Sequence, residues 1–234
     1  MALPVIDTPK YSAKIPSSGQ SISYRPYLVK EEKILMIALE SENQEQILNA
    51  VKDIIQACTY DKVKVDELAS FDLEYLFLKL RAKSVGETSK IGLRCISCDK
   101  TNQIEINIDD ITVDISNSSD SNIMLNDKVG IKLRYPTVKD IQKLSSMKDG
   151  VDQMMRTVTM CIDNIFDDNK VYPAKESTPK ELEAFIDSLN SEQFKKIQHF
   201  FESMPSLKRD VAFACEHCGH SNEFELKGLA NFFG

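Results

Sequence analysis

Arg94-Cys95-Ile96-Ser97-Cys98-Asp99 and Ala214-Cys215-Glu216-His217-Cys218-Gly219 are the two stretches that decide how this chain folds. Each stretch has two cysteines separated by two residues, and a turn-forming residue follows the second cysteine. This spacing places two thiolates at adjacent corners of a tetrahedral zinc site, so two such turns supply a closed set of ligands. The sequence therefore predicts one structural Zn²⁺ ion held by Cys95, Cys98, Cys215 and Cys218.

The sequence around each cysteine pair predicts a small hairpin. Residues 90–108 and 211–226 each combine a strand, a tight polar turn and a second strand, with the cysteines at the tip. Two such zinc knuckles facing each other form a zinc ribbon. The gap between the pairs is 116 residues (215 − 98 − 1), far longer than in a compact zinc finger. The middle of the chain is therefore an insertion, or a main domain whose ends the metal joins. Beyond this local similarity, no internal repeat with a fixed period is evident.

Other uses of the cysteines compete with zinc binding. Four thiolates could also hold an iron–sulfur cluster or remain plain reduced thiols. A thioredoxin-like redox pair is a third alternative, but such a pair lies at a helix N-terminus after a βα unit, and neither cysteine pair has that setting. His217 or His220 could replace one cysteine as a ligand. A catalytic zinc keeps one position open, whereas four thiolates fill the coordination sphere. The remaining two cysteines, Cys58 and Cys161, lie on apolar helical stripes and are predicted to be core residues.

Composition restricts the function classes. The chain has 234 residues and a net charge of −7, so its field repels nucleic acid and acidic membrane surfaces. No signal peptide is visible, and the apolar stretch from Ile34 to Leu39 is too short to span a bilayer. A Gly-rich phosphate loop and a nucleophile elbow are missing, and there are three histidines. We therefore expect a protein made in a reducing cytosol, with no enzymatic activity, small-molecule substrate, nucleic-acid partner or membrane partner.

The predicted fold class is α+β, with a mainly helical body, small β-sheet elements and a four-cysteine zinc ribbon formed by the two distant knuckles. Residues 1–28 are predicted to be an extended arm, either flexible or docked on a partner or on its own chain. Residues 29–234 are predicted to form a single domain with a helical region over 137–204. Within that domain the patterns predict a buried strand over 32–38 and helices over 41–58, 71–82, 151–166, from 178 and from 191.

The N-terminal part of the chain resembles a known family. Lys14-Ile15-Pro16-Ser17-Ser18-Gly19 and the segment Ser23-Tyr24-Arg25-Pro26-Tyr27 through Lys33 are similar to the N-terminal region of T4-like phage baseplate hub and hub-assembly proteins. The Cys95/Cys98 knuckle and the helical second half agree with this resemblance.

The resemblance implies a virion protein of a contractile phage tail, made in the host cytoplasm. It would be a structural subunit of the central baseplate hub that contacts other hub, tail tube or tape-measure proteins. Alternatives are a transient assembly chaperone absent from the mature virion, and a zinc-ribbon protein that binds nucleic acid or transcription machinery. Partner contacts are expected from the arm by strand addition or groove docking. The residues expected to make them are Tyr24, Arg25, Pro26 and Tyr27. At the other end, Phe232 and Phe233 are expected either to pack on another chain or to cap the core of their own chain.

Overall fold

The computed structural model describes residues 6–115, 118–144 and 150–228. The chain divides into two compact units: Met1–Asp114 together with Ser206–Gly234, and Ile115–Pro205. We call them the split unit and the inserted unit, because the second interrupts the first in the sequence. The predicted boundaries, an arm over 1–28 and one domain over 29–234, stay predictions, although the two units divide the chain at other positions.

Seven α-helices and eleven strands occur in the described part of the chain, so the α+β prediction is confirmed. The description "mainly helical" is only partly right, because short strands are spread over both units. The split unit contains β1 (Tyr11–Lys14), β2 (Ser21–Tyr24), α1 (Val29–Glu40), α2 (Gln44–Cys58), α3 (Ser70–Ser84), β3 (Thr88–Arg94), β4 (Thr101–Asn107), β5 (Thr112–Asp114), β10 (Ser206–Ala214) and β11 (Ser221–Lys227). The inserted unit contains β6 (Asn122–Met124), β7 (Val129–Leu133), α4 (Val138–Leu144), α5 (Val151–Met160), β8 (Ile162–Asp167), β9 (Val171–Pro173), α6 (Pro179–Asp187) and α7 (Ser191–Glu202).

The N-terminal segment forms a hairpin that docks on α2 and α3 within the split unit. β1 and β2 pair antiparallel, and the side chains of Ile15 and Ile22 are buried. Ser17 donates hydrogen bonds from its N–H and its hydroxyl to the buried Asp72 carboxylate of α3, at 2.9 and 2.5 Å. The Arg25 N–H donates to the carbonyl of Cys58 at the end of α2. Among the alternatives for the arm, the structure shows docking on its own chain.

The predicted strand over 32–38 is wrong, because this segment lies in α1. The Glu31 carboxylate stabilises the first turn: it accepts a hydrogen bond from the Leu28 N–H at 2.8 Å and pairs with Arg25 at 2.8 Å. Glu31 and Ala38, seven residues apart, face inward, so the buried side follows a helical period. The helix predicted from Ser41 begins three residues later, at Gln44, because Asn43 is its N-cap and the Asn43 side chain accepts from the N–H groups of Glu45 and Gln46.

The two cysteine-bearing hairpins share one hydrophobic core. β3 pairs with β4, and β10 pairs with both β11 and β5. Ile91 and Ile106 from the first hairpin pack with Val211 and Leu226 from the second against Leu78 and Ala82 of α3. The bases of both hairpins are therefore held by apolar burial, and the cysteines lie at the far ends of the strands.

The hairpins are equivalent residue by residue. Ile91 faces Ile104 and Arg94 faces Thr101 in the first, whereas Val211 faces Phe224 and Ala214 faces Ser221 in the second. Each residue of the second hairpin has a number 120 higher than its counterpart in the first hairpin (211 − 91, 224 − 104). The similarity between the knuckles therefore extends over both hairpins, further than the sequence indicated.

The inserted unit combines a four-stranded sheet, in the order β6-β7-β8-β9, with helices. Its core includes Ile131, Leu133, Val158, Ile197 and Phe200. The helix predicted over 151–166 ends at Met160, and β8 follows it and pairs with β7. The helical region over 137–204 is therefore interrupted by two strands. The helix predicted from 178 is confirmed: Thr178 is the N-cap of α6, and its hydroxyl and the Glu181 carboxylate form a capping box.

Gly130 of β7 is expected to be intolerant of any side chain. It lies opposite Phe166 of β8, and a methyl group at Gly130 would overlap the Phe166 ring. Gly130→Ala is therefore expected to lower the free energy of unfolding by about 1–3 kcal/mol, as overpacking does elsewhere. Chemical denaturation checks this result. Adding Phe166→Leu should recover part of the loss, and a neutral Gly130→Ala would contradict the close approach.

Candidate metal centre

The two knuckle turns have the same backbone hydrogen bonds. The Cys95 N–H donates to the Lys100 carbonyl at 3.0 Å, and the Cys215 N–H donates to the His220 carbonyl at 2.8 Å. Asp99 and Gly219 donate back to the carbonyls of the first cysteines, both at 2.9 Å. Both have a left-handed backbone, with φ of 56° and 72°, which aspartate and glycine adopt at low cost. The predicted role of these residues in closing the turns is confirmed.

The structure brings the four predicted ligand sulfurs together. The Sγ atoms of Cys95 and Cys218 lie 3.7 Å apart, and those of Cys98 and Cys215 lie 3.6 Å apart. All four sulfurs lie within 4.8 Å of one another. Tetrahedral Zn–S bonds of about 2.3 Å separate the sulfurs by about 3.8 Å, which is close to these distances. The four-cysteine cluster therefore has the size of a site for one tetrahedral ion, and it includes neither His217 nor His220.

Two buried asparagines connect the knuckles, and the sequence patterns did not predict this role. The Asn222 side-chain oxygen accepts from the Ile96 N–H of the other knuckle at 3.0 Å. The Asn102 oxygen accepts in the same way from the Glu216 N–H at 2.9 Å. Both residues are buried, with exposed fractions of 1% for Asn102 and 0% for Asn222. The available signal was that an asparagine follows the second cysteine by four residues in both stretches.

Hydrogen bonds to the sulfurs stabilise their ionised form. The N–H groups of Ser97 and His217 point at Cys95 Sγ and Cys215 Sγ, each at 3.4 Å, and the Asn222 amide lies 3.6 Å from Cys95 Sγ. Burial raises the pKa of Cys215, but hydrogen bonds from the backbone of His217 and Cys218 outweigh burial and bring the pKa to about 6. The site therefore favours a thiolate at Cys215.

Cys98 behaves in the opposite way. The Lys100 N–H acts to lower its pKa, but burial and the neighbouring sulfurs of Cys218 and Cys215 raise the pKa to about 12. Four thiolates at this spacing repel one another unless a cation lies between them, and a bound divalent cation deprotonates its coordinating thiols. The donor set, its geometry and its hydrogen bonds thus fit one Zn²⁺ ion.

The other two cysteines are confirmed as core residues. Cys58 and Cys161 are fully buried. Burial raises the pKa of Cys58 to about 11 and that of Cys161 to about 12, so both thiols stay protonated near neutral pH. They lie outside the four-cysteine cluster and serve as controls for it.

The predicted partner contacts have different surroundings. Tyr24 is 3% exposed and Tyr27 is 8% exposed, so both rings pack within the chain, whereas Arg25 and Pro26 are partly exposed. Phe232 and Phe233 lie outside the described residues. A partner role for all six stays a prediction. Within the described ranges, no helix is long and apolar enough to cross a membrane.

These features define an α+β protein with two equivalent hairpins that an inserted unit separates in the sequence. The tips of the two hairpins meet in a four-cysteine centre. A family model described as "T4 bacteriophage base plate protein" matches residues 8–234. The chain belongs to this family and is a component of the phage tail baseplate. No curated protein and no solved structure gave a significant match.

Proposed function

We propose that this chain is a structural subunit of the central baseplate hub, and that one zinc ion at Cys95, Cys98, Cys215 and Cys218 sets the shape it presents to neighbouring tail proteins. The observation that carries the proposal is the tetrahedral spacing of four sulfurs in a chain of the baseplate family. The centre joins segments that lie on either side of the inserted unit in the sequence. The ion would therefore act on architecture and would catalyse no reaction.

The size of the centre favours a single ion over an iron–sulfur cluster. Two cysteines on one iron could lie as close as the 3.7 and 3.6 Å found across the two knuckles, but cysteines on different irons of a cluster would lie farther apart than 4.8 Å, the limit that includes all four sulfurs here. Two separate redox pairs are also disfavoured. Each of the two short distances joins a sulfur of one knuckle to a sulfur of the other, and not the two cysteines of the same knuckle. Zinc fits best among single ions, since it prefers tetrahedral thiolate sites.

A nucleic-acid role has little support from the surface near the knuckles. Arg209 pairs with Asp110 at 3.0 Å, Lys208 lies 3.9 Å from Asp114, and Arg94 lies 3.6 Å from Asp99. These carboxylates offset the basic side chains that could attract phosphates. Protein partners in the hub or the tail tube suit this surface better.

Purified virions test the proposed function. Quantitative mass spectrometry of tails should detect the chain in a fixed ratio to other baseplate proteins. Complementation with a Cys215→Ser chain should yield fewer complete baseplates, whereas Cys58→Ala should assemble normally. Absence from finished particles would replace the structural role with that of a transient assembly factor. Normal assembly with Cys215→Ser would contradict the role of the metal.

A further inference from the structure

The outward face of α1 carries an unusual number of exposed apolar side chains. Val29, Ile34, Met36, Ile37 and Leu39 are each between 46% and 67% exposed. Single exposed apolar residues are normal, but four of these five, Val29, Met36, Ile37 and Leu39, lie on the outward side of the 12-residue helix and form one patch. Such a patch on a protein that works in an assembly indicates a contact surface.

Helical geometry divides α1 into two faces. Glu31 and Ala38 point inward, and the residues on the opposite side of the helix are Val29, Lys33, Met36 and Glu40. Ile37 and Leu39 flank this outward stripe. The patch is therefore apolar at its centre, with a cation and an anion placed one helical turn away on either side of Met36.

The two charges on this stripe have opposite signs. Lys33 lies one helical turn before Met36 and Glu40 one turn after it, whereas the acidic residues of the first turn, Glu31 and Glu32, lie off the stripe, and Glu31 is paired with Arg25 and Lys30. Lys33 and Glu40 are self-complementary in an antiparallel pair, where the lysine of one helix meets the glutamate of the other.

We propose that α1 is the contact surface between two copies of this chain, which pair α1 against α1 in an antiparallel arrangement. When the two-fold axis passes between Met36 and Ile37, Met36 of each copy meets Ile37 of the other copy. Lys33 of each copy then lies beside Glu40 of the other, because 33 and 40 are equally distant from the axis. A two-fold interface uses the same patch on both copies, which the sequence of α1 satisfies.

The alternative occupants fit the patch less well. A parallel pair would place Lys33 on Lys33 and Glu40 on Glu40, which costs free energy at both ends. An unrelated partner would have to supply an anion opposite Lys33 and a cation opposite Glu40, which a second copy of the chain already has. One short helix per copy buries little surface, so we expect a reversible dimer with a dissociation constant on the order of 10 µM.

Analytical ultracentrifugation of the full-length, zinc-loaded chain tests the proposal. Sedimentation should show a monomer–dimer equilibrium. Lys33→Glu and Glu40→Lys should each weaken dimerisation roughly tenfold, because the two-fold axis repeats each change. The double variant should recover most of the wild-type affinity, and Lys195→Glu on the exposed side of α7 should change nothing. Ile37→Ser should abolish the dimer without lowering thermal stability.

Two results would overturn the proposal. One is a monomer over the whole micromolar range, and the other is a dimer that the single charge reversals leave unchanged. The zinc centre and the baseplate role do not depend on this contact. Wild-type zinc content in all α1 variants would therefore separate failure here from failure of the proposed function.

Discussion

Cys215→Ser is expected to abolish zinc binding and to separate the tips of the two hairpins. The buried thiol of Cys215 lies 3.6 Å from Cys98 Sγ and has its pKa lowered to about 6, so it contributes a ready thiolate. A serine hydroxyl is a poor replacement because it stays protonated near neutral pH. Three thiolates without a fourth hold the ion weakly, and the repulsion between their charges then opposes closure.

The loss in the free energy of unfolding should be large, but part of the fold should remain intact. The bases of the hairpins remain packed against Leu78 and Ala82 of α3, so helices and strands near the core survive. We expect a loss of about 3–5 kcal/mol, which corresponds to a fall in the melting temperature of about 6–20 °C for a chain of this size. Calorimetry measures the fall, and hydrogen exchange should show new exchange at the tips.

Cys161→Ala is the matched control, since it removes a buried thiol outside the cluster. It should keep one zinc per chain and lose stability only through the missing sulfur. If Cys215→Ser kept its zinc and melted like the wild type, the four-sulfur site would be wrong.

Asn222→Ala is expected to weaken the centre without removing a ligand. The Asn222 side chain accepts from the Ile96 N–H, donates to the His220 carbonyl at 2.9 Å and lies 3.6 Å from Cys95 Sγ. Alanine leaves the Ile96 N–H without this acceptor. Groups that hydrogen-bond to metal ligands typically change metal affinity about 10–100-fold, and a lost buried hydrogen bond costs about 1–3 kcal/mol.

Competition with a chelating dye measures the zinc affinity of this variant. Asn102→Ala should behave in the same way, because it holds the Glu216 N–H from the other side. Asn169→Ala, in an exposed turn, is the control and should change neither affinity nor stability. Unchanged zinc affinity in both knuckle variants would show that the asparagines have no role in shaping the site.

The ligands were predictable because their signal is local. Two residues between cysteines, followed by Asp99 or Gly219, specify a turn whatever the rest of the chain does. The signal for the helix predicted from 178 is local in the same sense, and α6 begins there with Thr178 as its N-cap. Apolar periodicity also located α3, since its core side chains follow one another at helical spacing.

The predictions from the sequence were wrong or incomplete where contacts between distant parts of the chain determine the structure. The apolar run in α1 was predicted to be a buried strand, but most of it is exposed, and only the inward positions of Glu31 and Ala38 reveal a helix. Ile162 and Ile165 continue the period of α5, yet pairing of β8 with β7 converts them to strand. The bridging role of Asn102 and Asn222 depends on two hairpins meeting in space, which spacing along the chain does not show.

X-ray absorption spectroscopy of freshly prepared, reduced protein, combined with metal quantification, tests the central claim most directly. We predict one zinc per chain, with a first shell of four sulfurs at about 2.3 Å. A chain without bound metal would contradict the account, and so would nitrogen or oxygen ligands in the first shell, or iron in place of zinc.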